Sequence, residues 1–220
     1  MSESKNRNFN HLKIHSQYSI CEGAIKIDDL KNFSKENKIR SLGLCDTTNL
    51  CGALEFAEKI SKIGTQPIIG TQINFKFEDT IGLLPLYALN EKGYKRIIEL
   101  SSLSFLKNDE LSDPHLKFEE LLESTEGVAI FSGTVNGFFG RLFNKGKYLE
   151  INELYSKLKL KYNDKFYLEI QRHGDQNEIE FEKFNLSKSI GLKIPIMETN
   201  EVCYIDKNML GAHDALICIK

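Results

Sequence analysis

Short apolar runs and longer segments with helical spacing alternate almost from end to end of this chain, and that alternation constrains the fold more than any single motif does. Residues 11–16 alternate apolar and polar side chains as a short strand does, and 28–39 carry Leu30, Phe33 and Ile39 at helical spacing. Residues 42–46 form a short apolar strand ending in Asp46. Asn49 then reads as the N-cap of a helix with Leu50, Leu54, Ala57, Ile60 and Ile63 on one face and Gly64 at its end. Strands are expected at 67–75 and 81–89, followed by a helix over 91–106 with Tyr94, Ile97, Ile98, Leu100 and Leu103 as its buried stripe. The second half continues with a helix at 118–122, a strand at 128–132, a helix at 151–160 and a strand at 166–171. A helix at 178–190 stopped by Gly191, a strand at 194–200 and a helix at 208–219 complete it. Strands separated by helices imply βαβ units and a mainly parallel sheet. With so many units and no long linker, the expectation is a closed or nearly closed β/α barrel. Residues 1–220 form one domain in this reading, its two ends contributing neighbouring parts of one core.

Composition narrows the function. A chain of 220 residues with 41% hydrophobic side chains can bury a sizeable core, and its formal net charge is -2. Sequence-independent binding to phosphates needs clustered Lys and Arg, and here acids balance them along the chain. The 5 cysteines are odd in number and scattered, without a CxxC pair, which points to a reducing cytoplasm rather than a disulfide framework. No apolar run approaches the roughly 20 residues of a membrane span, and the start, Met1-Ser-Glu-Ser-Lys, lacks the apolar core of a signal peptide. The end, Ile217-Cys218-Ile219-Lys220, falls inside an apolar helical pattern, so a piece of a longer polypeptide is expected.

In β/α barrels the functional side chains sit at the C-terminal ends of the strands. Those positions hold His15 with Glu22 beyond it, Asp46-Thr47-Thr48, Gln72, Leu83, Ser132-Gly133-Thr134, His173-Gly174 and Asn200-Glu201-Val202-Cys203. The run His11-Leu-Lys-Ile-His15-Ser-Gln-Tyr-Ser-Ile-Cys-Glu22-Gly23 resembles the opening motif of PHP (polymerase and histidinol phosphatase) domains, above all those that begin the alpha subunit of bacterial DNA polymerase III. Later blocks agree in order and spacing: Leu42-Gly-Leu-Cys-Asp46-Thr-Thr-Asn-Leu-Cys-Gly52, Gln66-Pro-Ile-Ile-Gly70, Ala88-Leu-Asn-Glu-Lys-Gly93-Tyr94 and Gly127-Val-Ala-Ile-Phe-Ser132-Gly133. Phe166-Tyr-Leu-Glu-Ile-Gln-Arg-His173-Gly174 and Pro195-Ile-Met-Glu-Thr-Asn200-Glu-Val-Cys-Tyr204, with His213-Asp214 beyond, close the series. No single block is specific; together, in register over nearly the whole chain, they are. The resemblance implies a distorted β/α barrel of the PHP type with mainly parallel strands.

Members of that family that bind metal hold a cluster of ions with His, Asp, Glu and Cys ligands, able to activate water and clamp a phosphate diester. The resemblance implies that most of those ligands are missing here. The first His-x-His reads Lys13 and His15, and an ammonium must lose a proton before it can donate a lone pair. The acid Glu22 is kept, an expected His is Thr47, an expected acid is Gln72 and a further expected His is Leu83. An expected Cys is Thr134, and the closing Asp-x-His reads Glu201 and Cys203. Only His15, Glu22, Glu201 and Cys203 remain as metal donors, enough at most for one ion. No cofactor is therefore expected for this domain, zinc and manganese included, with magnesium belonging to the polymerase domains of the parent chain. The implied role is architectural: contact with the remainder of the polymerase alpha chain and a docking surface for the proofreading exonuclease subunit, with DNA reached through the parent chain and no membrane involved.

Two rival functions are a free-standing metal-dependent phosphoesterase or 3′–5′ exonuclease, opposed by the lost ligands, and a nucleic-acid-binding module, opposed by the balanced charge. Other reactive-looking residues have plainer readings. His11 is expected to be hydrogen-bonded at the barrel mouth, His173 to be either a polar site residue or a turn histidine, His213 to pack or bond locally on the last helix, and His115 to carry no signal. Cys45, Cys51 and Cys218 read as core residues, and Asp46 as an acceptor for backbone N–H groups of the Thr-Thr-Asn turn.

Overall fold

The computed structural model describes residues 9–108 and 112–219. Its elements run β1 (Lys13–Ile14), α1 (Ile27–Glu36), β2 (Ser41–Thr47), α2 (Ala53–Ser61), β3 (Gln66–Phe77), β4 (Thr80–Ala88), α3 (Glu91–Leu106), β5 (Leu116–Lys117) and α4 (Phe118–Leu121). They continue β6 (Val128–Phe131), α5 (Phe138–Asn144), α6 (Tyr148–Tyr162), β7 (Phe166–Ile170), α7 (Gln176–Leu192), β8 (Ile196–Glu198), β9 (Glu201–Val202) and α8 (Leu210–Ile217). A 7-stranded sheet in the order β2-β3-β4-β6-β7-β8, with β5 beside β3, curls into a half-barrel. The chain's two ends meet in a separate parallel pair, β1 with β9, in the register Lys13↔Glu201 and Ile14↔Val202.

The pairings are parallel except around β4, which runs antiparallel to both β3 and β6. It returns from β3 through a tight hairpin in which Glu78 takes φ 51°. Leu83 therefore lies within an antiparallel strand, opposite Asn74, and not at a strand's C-terminal end as expected. Strand periodicity reports burial but not direction.

Alternation along each strand sorts its side chains into two layers. Leu42 and Leu44 of β2 face Phe56 and Ile60 of α2 together with Ile27 and Leu30 of α1. Leu84 and Leu86 of β4, Ile130 of β6 and Phe166 and Leu168 of β7 pack against Ile97, Leu100, Leu154 and Leu158 of α3 and α6. The intervening positions Cys45, Tyr87, Ala129, Phe131 and Tyr167 form a third apolar cluster with Leu12, Ile68 and Met197, on the opposite face of the same strands. Two close approaches hold this arrangement. Gly43 donates its N–H to the His11 carbonyl at 2.8 Å, and a Cβ there would stand 2.3 Å from the Leu12 carbonyl oxygen. A Cβ on Gly70 would stand 2.5 Å from the Tyr87 ring, which lies against the bare backbone.

Several local expectations are corrected. The first strand is only Lys13–Ile14. Asn49 does not cap α2, whose N-cap is Gly52; its side chain ties the preceding turn, donating to Tyr18 O and Thr47 O and accepting from Cys51 N. The buried face of α2 is Ala53, Phe56 and Ile60, while Leu54 is exposed. α5, unforeseen, buries Phe138, Phe139, Gly140 and Leu142 within 7 residues, too short a stretch to show a helical stripe. α3 has the bounds expected, begun by Asn90, which accepts from Gly93 N at 3.0 Å; Ile98, assigned to its buried stripe, is 40% exposed.

Candidate functional site

β1 carries Lys13 into the interior, and the side chain is fully buried. Its ammonium donates to Glu169 Oε1 on β7 at 3.0 Å and pairs with Glu201 Oε1 on β9 at 2.9 Å. Burial alone would lower the lysine pKa, but the two carboxylates more than reverse this and hold it above the ordinary value, so the charge is permanent. Burial likewise pushes the Glu201 carboxyl up, and the Lys13 charge overrides it, leaving it at about 2. Glu169 Oε1 also accepts from Gln171 Nε2 at 3.0 Å and from the Thr199 hydroxyl. Its second oxygen has no hydrogen-bond partner among the described residues. This ionic knot adjoins the apolar cluster at Cys45, whose thiol burial pushes up to about 12.

Above the knot, a cavity of about 240 Å³ is lined by His15, Glu22, Thr47, Gln72, Leu83, Glu201 and Cys203, together with Cys21, His213 and Ile217. The structure thus gathers most of the motif positions around one mouth. Lys13 lies below it, bonded to Glu201, and Thr134 lines a separate small cavity with Glu169 and Gln171. Thr134 Oγ1 accepts from Asn136 N at 3.2 Å within its own turn. A wider cleft of about 910 Å³, lined by Lys76, Glu78, Lys107, Lys117 and Glu120 among others, contains none of the motif positions.

The polar groups at the mouth are engaged with one another. The Gln72 amide donates to His15 Nε2 at 3.3 Å and to Glu201 Oε1 at 3.3 Å. His15 Nδ1 is 3.4 Å from Ser19 Oγ and 3.5 Å from Thr47 Oγ1. An amide N–H aimed at Nε2 requires a neutral imidazole. In agreement, burial lowers the His15 pKa, opposed by Glu201 and reinforced by Lys13. Thr47 Oγ1 donates to Glu22 Oε2 at 2.6 Å. Burial pushes the Cys203 thiol up to about 12. Leu83, half-buried, supplies an apolar wall. Among the described residues, no group of three or more His, Cys, Asp or Glu side chains is arranged to hold a metal ion.

Asp46 is buried, but it serves a different turn from the one expected. Its carboxylate accepts from Ser16 N at 2.7 Å, Ser16 Oγ at 2.8 Å and Ser19 Oγ at 2.7 Å, fixing the segment after β1. His213 packs against the Tyr204 ring at 5.2 Å, and its Nε2–H donates to the Glu22 carbonyl at 2.8 Å, across 191 positions of sequence. The His11 Nδ1 is buried without a hydrogen-bond partner among the described residues, and its ring meets Phe9 edge-on at 5.0 Å. Of the two readings of His173, the structure gives the turn, with Nδ1 3.0 Å from Glu178 Oε1 at the start of α7. Cys45 is a core residue, whereas Cys51 and Cys218 are exposed. Glu169 was not singled out from sequence. An acid inside the apolar strand Phe166–Ile170 was the available signal, because a fully buried carboxylate needs a partner.

The profile described as "PHP domain" matches residues 11–173. The chain belongs to the PHP domain family. The DNA polymerase III alpha subunit of Caulobacter vibrioides is 34% identical over 232 residues, covering 100% of this chain and 20% of that protein. The alpha subunit of Rickettsia felis is 36% identical over 212 residues, covering 96% of this chain and 18% of that one. This PHP chain is thus homologous to the N-terminal region of the polymerase alpha subunit and spans about a fifth of the length of the relatives it matches. A solved amidohydrolase structure from Chromobacterium violaceum, with bound sulfate and no metal, superposes with a TM-score of 0.57. It covers 94% of this chain and 96% of that one at 8% identity, a likeness of fold alone. Among the described residues no helix is long and apolar enough to cross a membrane.

Proposed function

We propose that this PHP chain is the N-terminal domain, residues 1–220, of a bacterial replicative DNA polymerase alpha chain, and that its metal site no longer assembles. Its job in DNA replication is architectural: it braces the remainder of the alpha chain and offers a docking surface to the proofreading exonuclease subunit, in the cytoplasm. Nucleotide transfer, its magnesium and the contact with DNA belong to the rest of that chain. One observation carries the loss of the site: the Lys13 ammonium, at the position of the first ligand histidine, is fully buried between Glu169 and Glu201. A fixed positive charge there repels a cation and occupies the very carboxylate, Glu201, that a metal would need. The remaining positions do not compensate. Gln72 is a neutral amide directed at both His15 and Glu201, Leu83 has no donor atom, and Thr134 lines a different cavity. These residues do not fit a metal cluster.

The test uses the full-length chain, without nucleoside triphosphates, supplied with zinc, manganese or magnesium. Neither a DNA 3′ end nor a small phosphate ester should be hydrolysed. Lys13→His or Leu83→His alone should not create activity, since several donors are missing at once. Metal-dependent hydrolysis abolished by His15→Ala would falsify the inactive-site reading. Titration with the proofreading exonuclease subunit tests the docking role separately: saturable binding supports it, and no complex at micromolar concentration removes it.

A further inference from the structure

Glu169 places a full charge inside the half-barrel, and among the described residues only one of its two oxygens is met. Its side chain is 0% exposed. Oε1 takes three donors, the Lys13 ammonium, the Gln171 amide and the Thr199 hydroxyl, whereas Oε2 has no hydrogen-bond partner among the described residues. A carboxylate oxygen taken out of water and left unmet is costly, so buried groups of this kind are ordinarily met by protein or by ordered water. The small cavity that Glu169 borders supplies the room. It lies between the end of β7 and the first turns of α7, walled by Thr134, Gln171, Glu178, Phe181 and Glu182. The Glu178 and Glu182 side chains are 11% and 17% exposed, so the cavity is nearly closed on that side. The space open to the centre of a water-sized sphere is about 10 Å³, which is about what one water needs.

We infer that this cavity is a binding site for one ordered water, held by Glu169 Oε2, the Thr134 hydroxyl and the Gln171 amide oxygen. The direction of each bond follows from the groups present. Thr134 Oγ1 accepts from Asn136 N at 3.2 Å and keeps its own proton to donate to the water. Gln171 Nε2 donates to Glu169 Oε1 and Thr199 Oγ1 at 3.0 Å each, so the other end of that amide is an acceptor. The water accepts one hydrogen bond and donates two, the usual complement of an internal water. A neutral molecule suits the site better than a cation. Glu169 already has the Lys13 charge, and Glu178 and Glu182 are engaged with His173 and Arg172. Thr134, the position of an expected cysteine ligand, thereby gains a use. Lys13 meets one oxygen of Glu169, and Thr134 with its water meets the other, so two of the motif positions serve a single buried carboxylate.

The test is a high-resolution crystal structure of the full-length chain, with Thr134→Val and Thr134→Ser beside it. One peak about 2.6–3.2 Å from both Glu169 Oε2 and Thr134 Oγ1 is expected in the unmodified chain. Thr134→Ser keeps the hydroxyl and should keep the peak; Thr134→Val should lose it. Hydrogen exchange of the same chains reads the energetic consequence. In Thr134→Val the β7 amides should exchange about tenfold faster, since Oε2 loses its partner and local opening becomes easier. In Thr134→Ser they should change by less than about threefold. A site without density in the unmodified chain overturns the inference, as does an Oε2 bonded directly to a protein donor. A peak that scatters anomalously after soaking in thallium(I) is a monovalent cation and overturns it too. So does a Thr134→Val chain that keeps the peak and exchanges at the unmodified rate.

Discussion

The two faces of one set of strands make opposite use of burial. On β7, Phe166 and Leu168 point to the helical layer and are fully covered by apolar neighbours. Between and beside them, Tyr167 joins the apolar cluster on the other face and Glu169 meets Lys13. The helical side is held by non-directional contact, so it tolerates any well-packed set of apolar residues. The inner side is held by charges whose worth depends on each having its partner, because taking either ion out of water is costly and only the pair offsets it. Lys13 meets the charge of both inner carboxylates, Glu169 and Glu201.

Removing one ion of the Lys13–Glu169 pair has the largest expected effect. Lys13→Met should destabilise the full-length chain by about 3–5 kcal/mol, since it strands the buried Glu169 carboxylate, one oxygen of which already lacks a partner among the described residues. Adding Glu169→Gln to Lys13→Met should recover most of the loss, because the amide can still accept from Thr199 without a net charge. On the helical face, Leu168→Ala should cost about 2–5 kcal/mol through its cavity, and no second substitution of charge should rescue it. Denaturant melts of the four chains decide this; a double variant no better than Lys13→Met would show that the inner face is held by shape rather than by charge.

A smaller effect comes from pH. The folded Glu201 pKa of about 2 lies below its ordinary 4.5, so its stabilising contribution is full above 4.5 and is lost as pH falls from there through 2. His15 acts in the same direction at higher pH. Its folded pKa is below 6.5, so the unfolded chain takes up the proton first and stability declines as pH drops below 6.5. Glu201→Gln should flatten the lower part of the stability-against-pH curve and His15→Gln the upper part; unchanged curves would remove these two groups from the acid response.

The smallest effect expected is from zinc. The donors His15, Glu22, Glu201 and Cys203 all border one cavity, but a ligand stabilises only what it binds preferentially in the native state. Micromolar zinc should leave the melting temperature unchanged. A rise of many degrees, reversed by chelator and absent in His15→Ala, would mean that the inner face still accepts a cation beside Lys13.

Much of the layered architecture was legible without coordinates. α3 is an example, because a long helix repeats its stripe often enough to be read and Asn90 marks its start. α5 is the counter-example: its 7 residues are too few to repeat a stripe, although four of them, Phe138, Phe139, Gly140 and Leu142, are buried. The motif positions could be ordered by their chemistry, and the structure collects most of them at one mouth. Glu169 escaped notice, since its importance lies in a partner 156 residues away.

Sequence alone determined the alternation of strands and helices, the side-chain chemistry available at Lys13, Leu83 and Thr134, and the balanced charge, since these follow from local periodicity and residue type. Tertiary structure decided the rest. It set the antiparallel course of β4, the burial of Lys13 between Glu169 and Glu201, the three hydroxyl and amide donors gathered by Asp46, and the reach of His213 to Glu22. Each depends on which distant segments come to lie side by side, and pairing of that kind is governed by how the whole chain packs, which no local pattern encodes.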